Sequence, residues 1–562
     1  MHFVSNHFTS TMNRRQFFQS LTHARSSVSI AERERDASET AARRRPASGL
    51  QPYSGVWNEQ TATHLLRRAM FGATPAQIRQ AMQQGLNATL DELLQDRPAP
   101  EPPIDITTGR TWHDQPFNNE QNADGRYYSY LRAWWIGLMI TQPISLIEKM
   151  TLFWHNHFVS DRAANADARY LYRQNALFRR FALGNFKALT LEVTIDPAML
   201  RYLNGNVNVA GRPNQNYARE LFELFTIGKG PELAQGNYTN YTEQDVAAAS
   251  RVLTGWRDVG YRSTTVPIGA VFDVTRHDTG NKQFSPAFQN TVIRGRNSAS
   301  AGMEELKDLL DMIFQQAETA RFLVRKLYRW FVYYVIDSAV ERNIIEPLAQ
   351  LLRQNNYELR PVLRTLFASQ HFFDAQTMGA FIKSPADFIV GMHRFFFPNN
   401  PTEQTQLIPA VQRYISWFST LQMNLMQHPT VAGWDAYYQE PSYHQLWINS
   451  ATLPARHSYS DAIVTAANLN RIAIVQALPN PSAPYQMVRD LSRQIFAVEL
   501  SDAQIQDLVD NVLMPSVPYY EWTEQWNDLM RNPNDMNKRR AVDMRLQNLL
   551  RFMLRMAEYQ LS

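Results

Sequence analysis

Two segments of this chain carry polar side chains that can do chemistry. They read FWHNHF at residues 153–158 and NQNYARELFE at residues 214–223. Histidines, amides and carboxylates stand there among aromatic residues, where a plain core would be apolar. The pattern predicts a buried or cleft-lining polar site to which both segments contribute.

Helical geometry limits what the first segment can bind. On a regular helix His155 and His157 point about 200° apart, so they cannot bind one ion together. Glu148 shares a face with His155 through spacings of four and three residues. The sequence therefore predicts one histidine that points into a site and one that packs in the core. In the second segment Glu220 and Glu223 lie at positions i and i+3, on one helical face.

The first hypothesis is a divalent metal site with nitrogen and oxygen ligands. His155 or His157 would bind the ion together with the two glutamates and with His277, a set that zinc, iron or manganese accepts. The chain has no cysteine, which excludes thiolate zinc sites, cysteine-bound iron–sulfur clusters and a cysteine nucleophile. The alternative is that the glutamates form a salt network with nearby arginines.

The second hypothesis is acid/base catalysis without a metal. Asp196 or Asp278 would pair with Glu220 as acid and base in glycoside hydrolysis, and Glu223 is a further candidate catalytic carboxylate. The alternative for Asp196 is a helix cap, since it directly precedes Pro197.

Four further residues are candidates for contacts with such a substrate. Trp154 and Trp256 offer faces on which a sugar stacks. Asn214 and Asn216 offer amides that hydrogen-bond hydroxyl groups, and they are equally typical of turns. The third hypothesis is a binding or scaffold protein without catalytic activity, in which these polar clusters are structural.

The elements that position these residues are mainly helices. Apolar residues recur at spacings of three and four from residue 61 to the C-terminal region, and Thr74 before Pro75 predicts a helix start. We expect a multi-helical globular body with a small β-hairpin insert near 262–300, built from strands at 266–274 and 290–293. The domains are predicted as a disordered leader over 1–55, a main helical domain over 56–397, and a loop-rich segment with a C-terminal helical region over 398–562.

Charge and composition narrow the class of protein. The chain has 562 residues and is 44% hydrophobic, which suits a large globular body. Its 56 basic and 52 acidic residues are interleaved, so we expect no nucleic-acid partner. No apolar run reaches the roughly 18 residues that span a bilayer.

The leader contains a twin-arginine-like export signal around Arg14 and Arg15. The apolar stretch that normally follows such a signal is replaced by polar and charged residues. The sequence predicts a periplasmic or secreted protein if the signal works, and a cytoplasmic one if it does not.

A series of ordered motifs resembles the bacterial domain of unknown function 1800 family. The motifs are HLLRRA at 64–69, EKM at 148–150, the FWHNHF segment, DPAML at 196–200, NYARELFELFTIG at 216–228, LTGW at 253–256, HD at 277–278, RKLY at 325–328, IKSP at 382–385 and GW at 433–434. The resemblance implies a largely helical fold and a twin-arginine leader. It also implies a partner, an exported protein of the alkaline-phosphatase fold that is often encoded nearby.

Overall fold

The structure is a computed structural model that describes residue 46 and residues 48–562. The residues from Ser48 to Ser562 form one compact unit. The twin-arginine-like motif lies outside the described residues.

The last part of the expected leader belongs to the body. Ser48 Oγ donates a hydrogen bond to Asp374 Oδ2 at 2.8 Å, and Tyr53 N donates to Ala368 O at 2.7 Å. The chain is therefore anchored on the helical unit from residue 48 onward, before the first helix begins.

The described chain is mainly helical, as the sequence predicts. In its first half the helices are α1 (Glu59–Ala69), α2 (Pro75–Leu93), α3 (Ala123–Thr141), α4 (Ile147–His157), α5 (Ala168–Arg180), α6 (Phe186–Thr194), α7 (Pro197–Tyr202), α8 (Asn216–Glu220, continued by a π-helix over Leu221–Thr226) and α9 (Glu243–Val252). They carry both polar segments.

The second half of the chain continues the helical body. Its helices are α10 (Ala301–Gln315), α11 (Ala317–Phe331), α12 (Ser338–Val340, continued by a π-helix over Glu341–Ile345), α13 (Glu346–Gln354), α14 (Leu359–Phe367), α15 (Pro385–Phe396), α16 (Gln404–Gln412), α17 (Tyr414–Thr420), α18 (Thr452–Val464), α19 (Arg471–Gln476), α20 (Pro484–Ile495), α21 (Asp502–Asp507, continued by a π-helix over Leu508–Leu513), α22 (Tyr520–Arg531) and α23 (Met536–Met553). Within the described part of the chain, no helix has both the length and the apolar character that crossing a bilayer requires.

The described strands form four antiparallel pairs. These are β1 (Ile104–Asp105) with β2 (Arg110–Thr111), β3 (Glu232–Ala234) with β4 (Asn237–Tyr238), β5 (Trp256–Val259) with β6 (Gly269–Phe272), and β7 (Lys282–Gln283) with β8 (Val292–Ile293). The predicted β insert is present, but its two predicted strands do not pair with each other. Each of them pairs with a strand that is nearer in sequence, because closing a shorter loop costs less conformational entropy.

Helix α3 is the centre of the packing around the first polar segment. It contacts α4, α5, α15, α16 and α17. A Cβ atom at Gly137 would lie 3.0 Å from Leu407 Cδ2, so the glycine allows α16 to approach closely. Elements on both sides of residue 398 thus contact α3, and the division of the chain near that residue stays a prediction.

The loop that carries Gly433 and Trp434 is fixed on the end of α4. Trp434 N donates to Asn156 Oδ1 at 2.9 Å, and Gly433 has a φ of +96°. A Cβ atom at Gly433 would lie 2.3 Å from that same Asn156 oxygen. Only glycine fits both the backbone conformation and the space.

We expect Gly433→Ala to lower the free energy of unfolding by about 2–4 kcal/mol, because positive φ and a steric clash add up. Gly109→Ala is the matched control, since Gly109 has a φ of +70° and nothing within 4 Å of the added atom. That control should cost only about 1 kcal/mol. Urea unfolding measures both, and equal losses would contradict the close contact at Asn156.

Candidate functional site

A large cleft opens on one face of α5. Its volume is about 1190 Å³, and its walls come from α3, α4, α5 and α6, from the loops at 96–100 and 113–116, and from the β5–β6 loop. Five carboxyl and five guanidinium groups line it, namely those of Asp96, Asp114, Glu148, Glu192, Asp196, Arg97, Arg169, Arg173, Arg179 and Arg180. Clefts of this kind are the usual place for a ligand.

Asp196 is the most perturbed acid of the cleft wall. Its Oδ2 accepts hydrogen bonds from the backbone N–H groups of Ala198 and Met199 at 3.1 and 3.2 Å, so it caps α7. Gln174 Nε2 donates to the same oxygen at 3.2 Å. The other oxygen, Oδ1, is shielded from solvent and has no partner among the described residues. Burial raises the pKa of Asp196 to about 7.

The acid/base hypothesis and the helix-cap alternative for Asp196 are therefore compatible with each other. The capping bonds account for one oxygen, and the second is shielded from solvent without a hydrogen-bond partner among the described residues. A carboxyl group with a pKa near neutrality in a cleft has the property that general acids need.

Glu148 and Arg179 form a buried ion pair at the base of the cleft. Arg179 donates through Nε and Nη2 to the two carboxylate oxygens at 2.7 and 2.9 Å, and Trp135 Nε1 donates to Oε2 at 2.9 Å. The two side chains are only 8% and 7% exposed. The Glu148 carboxylate is therefore fully used within the protein.

His155 lies behind this ion pair and outside the cleft lining. Arg179 Nη1 donates to Asn175 Oδ1 at 2.7 Å, and Asn175 Nδ2 donates to His155 Nε2 at 3.0 Å. Because Nε2 accepts, the ring proton is on Nδ1. Burial holds the pKa of His155 well below its usual range, so the ring is neutral.

His157 and Trp154 belong to the core on another side of α4. His157 Nε2 lies 2.9 Å from the carbonyl oxygen of Phe225 and donates to it, which ties α4 to the π-helix. Burial again holds the histidine pKa well below its usual range. Trp154 stacks on Phe186 with ring centres 5.6 Å apart. Neither side chain lines the cleft.

Glu220 and Glu223 form a second neighbourhood where α8 becomes a π-helix. Glu223 pairs with Lys229 at 2.7 Å and accepts a hydrogen bond from Tyr241 at 3.2 Å. Glu220 Oε2 is buried without a partner among the described residues, and burial together with the charge of Glu223 raises the pKa of Glu220 to about 7. Neither carboxylate lines the cleft.

The two asparagines before this helix have turn roles. Asn214 Oδ1 accepts from Asn216 N at 3.0 Å, and Asn214 N donates to Asn208 Oδ1 at 2.8 Å. The structure therefore supports the turn alternative for Asn214, and both residues lie away from the cleft lining.

His277 and Asp278 form a third neighbourhood. Asp278 makes a two-point ion pair with Arg251 at 2.7 and 2.9 Å, which lowers the pKa of the aspartate. His277 Nδ1 donates to Thr254 O at 2.9 Å, and its Nε2 lies 3.1 Å from Glu305 Oε1.

The negative charge of Glu305 is balanced by Lys282, whose Nζ lies 2.6 Å from Glu305 Oε2. Both side chains are fully buried. Trp256 packs against Phe272 at the start of β5, with ring centres 5.4 Å apart. This cluster also serves the packing of the β insert.

The predicted site residues thus fall into separate places, and only Asp196 lines the cleft. Among the described residues, no three histidine or carboxylate side chains come close enough to hold a metal ion. The metal-ligating set His155, His157 and His277 is therefore not assembled. Instead of the single shared site expected from both segments, the structure has three separate polar neighbourhoods, and only the one around Glu148 and Arg179 borders the cleft.

Sequence reasoning missed most residues of the cleft wall. Arg169, Tyr172, Arg173, Ala176 and Arg180 all line it from α5. Their spacings of three and four place them on one helical face, which is the signal that was available. In the sequence, such a polar helix face looks like a face that is exposed to solvent. The cleft is recognised only in the structure, which shows the walls that lie opposite this face.

The fold and the cleft define a class, a mainly helical protein with a large polar and aromatic cleft. The family model described as "Protein of unknown function (DUF1800)" matches residues 64–561. The chain belongs to this family, which confirms the resemblance. No curated protein and no solved structure matches the chain.

The raised pKa of Asp196 predicts a pH-dependent stability. Between its ordinary value of 3.8 and about 7, the folded protein keeps a proton that the unfolded chain has lost. This stabilisation is complete below pH 3.8 and disappears as the pH rises through about 7. We expect the stability of Asp196→Asn relative to wild type to rise across that window by up to about 1.4 kcal/mol per pH unit.

Urea unfolding at a series of pH values measures this difference. Asp502→Asn, at a side chain that is 92% exposed, controls for the loss of a surface carboxylate. A flat difference for Asp196→Asn across the window would mean that the carboxyl titrates normally.

Proposed function

We propose that the cleft binds a polar, uncharged ligand of the glycan type and that Asp196 acts on it as a general acid. The observation that carries the proposal is the buried Asp196 carboxyl, with one oxygen unpartnered among the described residues, at the wall of a cleft of about 1190 Å³. Pockets for small ligands measure roughly 300–1,000 Å³, so the size favours an extended ligand.

The charges of the cleft favour a neutral ligand. Arg179 forms an ion pair with Glu148. Arg180 Nη2 lies 3.4 Å from Glu192 Oε2. Arg169 Nη2 lies 2.6 Å from Asp167 Oδ2. Most guanidinium groups are thus balanced by carboxylates of the protein. A ligand rich in hydroxyl groups suits such alternating donors and acceptors.

Aromatic side chains supply the apolar part of the recognition. Tyr172 is half-buried in the cleft, with its ring centre 5.7 Å from Trp134 and 4.5 Å from His113. Sugar rings pack on such faces through their C–H groups. These residues take the role that the sequence assigned to Trp154 and Trp256.

The chemical step uses the proton of Asp196. The protonated carboxyl donates it to the oxygen of the leaving group as the glycosidic bond breaks, and a water molecule adds to the sugar carbon. In this proposal Glu192, which is 46% exposed, accepts the proton of that water. Because Asp196 Oδ1 is shielded, the ligand must displace the side chains that cover it.

Binding and turnover separate this proposal from a purely structural role. We expect Tyr172→Ala to weaken binding of a defined neutral oligosaccharide about tenfold, while Tyr172→Phe keeps the ring and the affinity. Asp196→Asn should keep the affinity and lose release of reducing ends. Calorimetry and chromatography of the products measure the two effects.

The alternative is a scaffold or binding protein without catalysis. It is favoured by motif groups that are used inside the protein, as in the Glu148–Arg179–Asn175–His155 chain. Ligand binding that depends on Tyr172, without turnover by wild type, would support this alternative. Absence of binding to neutral oligosaccharides would overturn the glycan proposal. A metal-assisted reaction finds no ligand set among the described residues.

We also propose export through the twin-arginine route, supported by Arg14 and Arg15 and by the twin-arginine leader that the family resemblance implies. The full-length protein should appear in the periplasm or medium of a bacterial host, and Arg14→Lys with Arg15→Lys should keep it in the cytoplasm. Cell fractionation measures the distribution.

An exported protein of the alkaline-phosphatase fold, encoded nearby, is the proposed partner, and copurification from the exported fraction tests it.

A further inference from the structure

Gln174 of α5 contacts Asp196 without lining the cleft itself. The glutamine is fully buried, and its Nε2 donates to Asp196 Oδ2 at 3.2 Å. A ligand in the cleft therefore meets Asp196 and not Gln174. Any effect of this glutamine on the chemistry of the cleft must pass through the carboxyl group.

Ser160 fixes which end of the Gln174 amide faces Asp196. The Ser160 hydroxyl, which is also buried, donates to Gln174 Oε1. Asp196 Oδ2 already accepts from the main-chain N–H groups of Ala198 and Met199, so this oxygen has no proton to offer to a carbonyl group. An amide turned the other way would place two acceptor oxygens against each other. The NH₂ end of Gln174 therefore faces the carboxyl group.

Three N–H donors thus converge on one oxygen of Asp196. They come from Gln174 and from the main chain of Ala198 and Met199. The other oxygen, Oδ1, has no hydrogen-bond partner among the described residues. A protonated carboxyl group keeps its O–H on the oxygen that is not occupied by donors. The proton of Asp196 is therefore on Oδ1.

These donors oppose the effect of burial on the same carboxyl group. Burial favours the neutral acid and raises the pKa of Asp196 to about 7, whereas hydrogen bonds to the ionised form favour the carboxylate. Two of the three donors belong to the main chain at the start of α7, and any helix N-terminus offers them. Gln174 is the donor that a substitution can remove.

Two titratable side chains face Asp196 from neighbouring helices. Arg173 of α5 is exposed, and its positive charge favours the carboxylate. Tyr217 of α8 is buried and bonds to Thr194 at 2.8 Å. Burial and, to a smaller extent, the charge of Asp196 raise the pKa of Tyr217, so the phenol is neutral.

The charged groups of α6 and β5, which also pack against α7, are held in ion pairs. Glu192 of α6 lies 3.4 Å from Arg180, and Asp258 of β5 lies 3.0 Å from Arg201. The opposite charges of each pair largely cancel at a distance. Arg173 and Gln174 are thus the side chains that favour the charged form of Asp196.

We propose that Gln174, oriented by Ser160, is a positioning residue that keeps the proton of Asp196 on Oδ1 and sets the pH range in which this carboxyl group holds it. Its meaning for catalysis rests on the function proposed for the cleft. A leaving group that takes the proton must then approach Oδ1, the oxygen opposite the helix cap.

Stability across pH tests the role of Gln174 without any ligand. Urea unfolding compares wild type with Asp196→Asn, and Gln174→Met with the double variant Gln174→Met/Asp196→Asn. In the first pair the difference in unfolding free energy changes with pH and becomes constant above about 7, the pKa of Asp196. Methionine has the length of glutamine but no donor, so the pKa of Asp196 should rise. The constant region should then begin about one pH unit higher.

Gln142→Met is the matched control, because Gln142 is a buried glutamine of the cleft wall that donates to Met139 O at 3.2 Å and not to Asp196. It should leave the onset of the constant region unchanged. Ser160→Ala is a second test variant, which keeps Gln174 but lets its amide turn, and it should move the onset upward by less.

An unmoved or lowered onset in Gln174→Met overturns the proposal, as does an equal rise in Gln142→Met. If Gln174→Met does not fold, the onset in Ser160→Ala decides in the same way.

Turnover of a defined neutral oligosaccharide separates this inference from the function on which it rests. If wild type cleaves it, the alkaline limb of the kcat profile should move up by about one pH unit in Gln174→Met, with little change in KM. Cleavage with an unmoved limb overturns the role of Gln174 and leaves the proposed function in place. No cleavage by wild type overturns the proposed reaction, and the stability series then decides on Gln174.

Discussion

The buried ion pair between Glu148 and Arg179 is the constraint on which the rest of the site depends. It joins α4 to α5 at the base of the cleft, with both side chains nearly inaccessible to water. Removing one partner of such a pair leaves an uncompensated charge, at a cost of about 3–5 kcal/mol. The same guanidinium orients Asn175 and, through it, His155. One interaction thus sets the cleft floor and the histidine behind it.

Buried cations have a wider role in this fold, since several of them bond to carbonyl groups at the ends of helices. Arg394 is fully buried and donates to the carbonyls of Met139, Ile140 and Gln142 at the end of α3. Arg68 does the same at the end of α11. The negative end of a helix dipole partly balances these charges.

Local features were predictable because they depend on neighbours in sequence. The helical class, the start of α2 at Thr74 and Pro75, and the capping role of Asp196 follow from propensity and capping chemistry. The expected β insert was present, whereas the pairing of its strands was wrong. Strand partners depend on loop paths, which residue patterns at 266–274 and 290–293 do not specify.

The sequence by itself determined the family, the mainly helical class and the presence of polar groups in the core. The two histidines of α4 have separate hydrogen-bond partners, Asn175 for His155 and the Phe225 carbonyl for His157. Their angular separation on a helix requires this. Only the tertiary structure decided which polar residues share a site. Long-range packing places Asp196 at a cleft wall and moves Glu220 and His277 into other networks, because contacts between distant segments are set by the whole core and not by spacing along the chain.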